Sequence, residues 1–263
     1  MHGKYYTTDV KIEELGNGET AFADADVLFN WTRFEIPKGT ACLKSIQIAM
    51  KGTNGADANK HDIELYFAKS IDGVAPTAFG TLNGAATALL SAACRRNIIG
   101  FKLLDASSRA DDEDLLGYNV WGSGIATVAD LTTSDLMLST AEDAAFTGTT
   151  AGYQSIWIAG IAKGAFDFGT AVAIGMVSGQ AAVELASGNN FTQHVQLTTN
   201  GTDPRNVFQP GDIVQAQDNA KIGPVVSVDS ATTMTVNGVE EALANTDTIN
   251  WKYPLEFVFG FEY

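Results

Sequence analysis

The chain has 263 residues, 45% of them hydrophobic and 18% charged, which is enough for one large β domain or for a main domain plus a small one. Its 16 Lys and Arg stand against 31 Asp and Glu, a formal net charge of −15. A field of that sign repels phosphate backbones and argues against direct nucleic-acid binding; its simplest effect is to keep copies of the chain dispersed.

In chain order, "MHGKYYTTDVKIEELGNGET" (1–20) lacks the apolar run of a signal peptide. Nor is any stretch long and apolar enough to span a bilayer, so synthesis in the cytoplasm with no membrane partner is expected. The sequons at Asn30, Asn190 and Asn200 are then chance matches. Asp24 and Asp26 in "ADAD" read as a polar edge or turn rather than a metal site. "LFNWTRF" brings Phe29, Trp31 and Phe34 together.

From there, apolar residues recur at the strand period of two. Ile46, Ile48 and Met50 share a face in "LKSIQIAMKG", and Ile63, Leu65 and Phe67 do so in "HDIELYFAKS". Ile99, Phe101 and Leu103 face one way in "NIIGFKLLD". "YQSIWIAGIAKG" (153–164) is apolar on both faces, as in a strand buried between layers, and "GTAVAIGMVSG" reads similarly. The breaks, "PKGT", "GTNGADANK", "SIDGVAPT" and "GSG", are turn-formers. Helix signals are few: "GAATALLSAACRR" suits two or three turns with basic residues at the end, and "TTSDLMLSTAEDAAF" a short turn capped by Thr133 or Ser134. Cys42 and Cys94, each among apolar neighbours, read as buried thiols rather than a disulfide.

Nothing in the chain spells catalysis or cofactor binding. His2, His61 and His194 form no metal pair, and no nucleophile elbow, phosphate loop or dinucleotide fingerprint occurs. Asp105, Asp111, Asp112, Glu113 and Asp114 could gather a Ca²⁺ ion, but their spacing is not that of an EF-hand and a solvated acidic loop is the simpler reading. No cofactor, no metal and no enzymatic activity are expected. Trp31 and Trp121, the latter in "YNVWGSG", are candidate interface aromatics, with packing inside the sandwich as the plainer role.

Many short strands and glycine corners without helix–strand alternation predict a mainly β fold: a β-sandwich, jelly-roll-like, formed by 1–190 plus 253–263. "PLEFVFGFEY" puts Leu255, Phe257, Phe259, Phe261 and Tyr263 on one face and is predicted to dock in a sheet of that sandwich. Residues 191–252 hold about five short β runs and are predicted to form a small β-barrel inserted before it. Within this block Gly211 and Gly223 suit positive-φ turns, and Asp212 and Asp229 suit turns in which the carboxylate binds nearby backbone.

The order of Phe208, Gly211-Asp212, Gly223, Val225, Val228-Asp229, Thr232-Thr233 and Val236 resembles a small β-barrel module of tailed-bacteriophage structural proteins. The resemblance covers about a quarter of the chain. It implies a virion structural protein without catalytic residues. As an expectation, this is a decoration or cement protein on the capsid exterior, a homotrimer bound to the major capsid protein or other virion proteins. A tail-fibre or adhesin module binding carbohydrate or a receptor is the alternative; a β-sandwich hydrolase and a jelly-roll major capsid protein stand further back.

Overall fold

The computed structural model describes residues 4–13, 22–51, 62–69, 75–87, 91–104, 113–115, 118–123, 136–139, 153–165, 194–199, 203–216, 221–239 and 249–263. His2, His61, Asp105, Asp111, Asp112, Asn190, Asn200 and the run 169–179 lie outside them. The first strands are β1 (Tyr5–Ile12), β2 (Val27–Pro37), β3 (Thr40–Lys51), β4 (Asp62–Ala68) and β5 (Ile98–Leu104), with one helical turn, α1 (Ala92–Arg95), before β5. There follow β6 (Glu113–Leu115), β7 (Tyr118–Ser123), β8 (Leu136–Ser139) and β9 (Tyr153–Lys163). Then come β10 (Val195–Thr198), β11 (Ile213–Ala216), β12 (Lys221–Ser230), β13 (Thr233–Val236), β14 (Ile249–Trp251) and β15 (Leu255–Glu262).

The protein is mainly β and its sheets are antiparallel. One sheet runs β1-β15-β3-β7-β6, with β8 also on β3; the other runs β2-β9-β4-β5. The pairs nest: β1 with β15, β2 with β9, β3 with β7 and β8, β4 with β5. Such nesting is a long hairpin folded over on itself, which is the strand order of a jelly roll. The predicted sandwich is therefore present.

The inner faces meet on aromatic rings. Phe34 stacks on Phe259 with centroids 5.3 Å apart, Phe29 lies 5.8 Å from Phe257, and Phe67 meets Phe259 edge-on at 5.7 Å. Ile36, Ile48, Ile63, Leu65 and Ile156 fill the space between them and are fully buried. The alternation of "LEFVFGF" made this inevitable once β15 paired on both sides, with β1 and β3. Each of its four inward side chains contributes about 1.5–3 kcal/mol by leaving water.

A second, smaller core lies on the outside of the four-stranded sheet. Residues 75–87 and α1 fold back over it, so Phe79 sits 4.7 Å from Trp31 and 5.0 Å from Tyr66, above Val27, Ala159 and Ile161. This explains why β9 is apolar on both faces. It also corrects the helix expectation for "GAATALLSAACRR": Ala85 bridges Asp26, and among the described residues of the run the α-helix is confined to Ala92–Arg95, capped by Ser91 Oγ accepting from Cys94 N at 3.1 Å. In "TTSDLMLSTAEDAAF" the described residues, Leu136–Ser139, form a strand that pairs Thr40–Leu43 as β8; Thr133, Ser134 and 140–146 lie outside the described residues. Tertiary pairing overrides weak local propensity in both cases.

The strands from β10 to β14 form a sheet of their own, ordered β10-β13-β12-β11-β14. It curls, with bulges in β12, around Leu197, Phe208, Val214, Val225, Met234, Val236 and Trp251 as a half-barrel. In chain order it falls between β9 and β15, the seventh and eighth positions of the nest. Lys252, just past β14, forms an ion pair with Glu13, just past β1, at 3.3 Å.

Candidate interaction surfaces

The turn residues named from the sequence divide by role. Gly211 has φ +97°, in the region that favours glycine, and its N–H donates to Val225 O at 2.8 Å. Asp212 is buried; its Oδ2 accepts from Gln209 N at 3.0 Å and from Trp251 Nε1 at 3.3 Å, tying the turn to the β14 edge. Gly223 is not a positive-φ turn. It lies in β12, where its N–H donates to Gly238 O at 3.0 Å and any Cβ would collide with the Asn237 carbonyl; it is glycine because two backbones touch there. Asp229 does not close a backbone turn either. Its carboxylate accepts from Ser227 Oγ at 2.6 Å, Thr235 Oγ1 at 2.7 Å and Gln196 Nε2 at 3.5 Å, three side chains on one exposed face. The Ser227 and then the Thr235 hydroxyl bonds hold its pKa below the usual carboxylate value. The turn after β12 is closed instead by Ser230 Oγ, which accepts from Thr232 N at 3.1 Å.

Trp31 is committed to packing: besides its contact with Phe79, its Nε1 donates to Thr77 O at 2.8 Å. Trp121 stands in β7 opposite Ile48. Asp26 closes a local turn, its Oδ2 accepting from Ala23 N at 2.7 Å, whereas Asp24 Oδ1 accepts from the distant Gly164 N at 3.1 Å. Asn30 Nδ2 donates to Gly80 O at 3.3 Å, so the sequon amide is engaged in the fold. Cys42 and Cys94 are free thiols, and burial pushes the Cys94 thiol up. Burial, followed by its hydrogen bond with Glu64, also raises the Tyr66 hydroxyl well above its ordinary value. Among the described residues no three His, Cys, Asp or Glu gather to hold a metal, and no helix is long and apolar enough to cross a membrane.

What remains is surface. The outer face of the six-stranded sheet carries cross-strand ion pairs, Lys11–Glu256 at 3.8 Å and Lys44–Glu262 at 3.2 Å. The outer face of the four-stranded sheet is polar at one corner, where Arg33 binds Glu35 at 3.0 Å and Ser155 Oγ at 2.6 Å. Its β5 side is apolar. A bulge between Phe67 and Ala68 splits the expected Ile99-Phe101-Leu103 face: Ile99 turns to the main core, whereas Phe101 points outward, 62% exposed, 6.2 Å from Tyr66. Sequence reasoning missed Phe101 as a surface residue because alternation shows that faces differ and not which of them is covered.

No protein-family model and no curated protein matches the chain. Among solved structures it is similar to the VP2 subviral particle of infectious bursal disease virus, at 8% identity and a TM-score of 0.15, over 99% of this chain and 41% of that one. The Gx strain of the same virus gives 10% identity and a TM-score of 0.13, over 100% of this chain and 41% of the other. The chain thus spans about two-fifths of the length of those proteins, and likenesses this faint carry no argument.

Proposed function

We propose that this chain is a virion structural protein, a decoration or cement protein that stabilises a capsid by bridging its subunits. The observation that carries the reading is the filled jelly roll. Its interior is occupied by Phe29, Phe34, Phe67, Phe257, Phe259 and Phe261, so the sandwich offers shape and outer surface. Jelly rolls serve as viral capsid and lectin domains. A unit of this kind acts by area, and a modest free energy per copy is multiplied over many equivalent sites. The net charge of −15 suits a surface turned away from packaged nucleic acid. Addition of the purified protein to capsids lacking it should raise their melting temperature in calorimetry. Capsids that neither bind the protein nor melt later would dispose of the proposal.

A lectin-like reading has one point in its favour, the exposed rings of Tyr5 (75%) and Phe101 (62%), since aromatic faces stack on sugars. Trp31, buttressed by Phe79 and Thr77, does not serve it. A glycan array separates the two readings.

A further inference from the structure

We propose that the β5 side of the outer four-stranded face is a self-complementary docking surface for a second copy of this chain, across a two-fold axis that sets the two β5 strands antiparallel. Phe101 is the centre of the patch, with Tyr66 beside it and Ile98 and Leu103 half-buried on the same face. An exposed aromatic ring on an apolar floor gains by being covered. Around Val27, Trp31, Ala159 and Ile161 the same face is already covered by residues 75–87 and α1, and its Arg33–Glu35 corner is polar.

Charge chooses the occupant and its orientation. The exposed Arg95 and Arg96 lie side by side at the N-terminal end of β5 and have no ion pair among the described residues. At the opposite end of the same face, β4 sets Glu64 beside Leu103 and Asp62 beyond it; Glu64 pairs with Lys163 at 3.9 Å, and Asp62 stands opposite Lys163 in the strand register. The face is therefore polarised along β5: basic, aromatic, acidic. Stacked antiparallel, the basic end of one copy covers the acidic end of the other, and Phe101 meets its own copy. Stacked parallel, arginines would meet arginines. A self-matching patch of this kind closes a two-fold dimer. It also answers the long-range repulsion between two chains of charge −15, which only a locally complementary contact overcomes. Strand addition at the β5 edge is the poorer geometry, because Lys102 points inward there and is buried, a device that discourages edge pairing.

The experiment is sedimentation velocity of the full chain from low to high micromolar concentration, with thermal unfolding followed in parallel. The wild-type chain should form a dimer whose fraction rises with concentration. Phe101→Asp should weaken it roughly tenfold or more, with the unfolding temperature unchanged at the lowest concentration, where both proteins are monomeric. The pair Arg95→Glu and Arg96→Glu should weaken it too, and adding Asp62→Lys and Glu64→Lys to that pair should restore it. If Phe101→Asp misfolds, the charge reversal and its rescue carry the test. A wild-type chain that stays monomeric throughout, a trimer indifferent to these substitutions, or a dimer that survives Phe101→Asp overturns the proposal. Capsids are absent from this measurement, so its failure leaves the virion reading to its own test.

Discussion

The sandwich and the curled sheet are both antiparallel, yet they are held together differently. In the sandwich the decisive pairing is remote: Tyr5 is opposite Glu262, and β15 lies between β1 and β3. Its core is a stack of rings. In the curled sheet the pairing is local, with β12 and β13 joined through Ala231 and Thr232, and the core is mostly aliphatic. Named polar contacts do the rest there, with buried Asp212 holding both its own turn and Trp251. Long-range pairing requires closing a large loop before any contact rewards it, whereas local pairing does not. The first region is thus a cooperative whole that depends on its last-paired strand; the second is secured at its corners.

The largest break in this contrast comes from ending the chain before Pro254. That removes Leu255, Phe257, Phe259 and Phe261 from the core, about 6–12 kcal/mol of burial, comparable with the whole stability of a domain. Calorimetry should show the sandwich transition lost. A shortened chain that melts like the full one contradicts the nested topology. Phe259→Ala comes next, at about 3–5 kcal/mol. Hydrogen exchange read by mass spectrometry should show protection falling across β3 and β15 while peptides of β12 and β13 keep theirs; equal loss in both regions would mean that they unfold as one.

A smaller effect is expected within the curled sheet. Asp212→Ala strips the acceptor from Gln209 N and Trp251 Nε1 and should cost about 1–3 kcal/mol, with the exchange pattern reversed. The least effect belongs to Asp229. Its hydroxyl partners lower its pKa in the folded state, so it contributes stability above the unfolded carboxylate value, and that contribution fades as pH falls through the folded one. Because the group is exposed the change is slight. Asp229→Asn should flatten the acid limb of a stability–pH curve, and an identical limb would show that the hydroxyl contacts do not persist in water.

The curled sheet was the more legible region from sequence. Its Gly211-Asp212 corner and short alternating runs lie close together, so that turn chemistry and strand period point to the same local answer. Gly223 and Asp229 are read from sequence as turn residues, whereas the close approach to Asn237 and the bonds to Thr235 and Gln196 come from neighbouring strands, which local turn chemistry does not show. In the sandwich, the alternation of "LEFVFGF" already required a buried strand. It did not reveal the partners β1 and β3.

By itself the sequence determined strand period, glycine corners, an acidic surface and an apolar face on β15, since these follow from side-chain chemistry and the two-residue repeat. Only the tertiary structure decided which strands neighbour one another, which outer face residues 75–87 cover, and that Phe101 is left in water with arginines at one end and carboxylates at the other. Those outcomes depend on contacts between residues far apart in the chain and on a single-residue bulge, which no local pattern encodes.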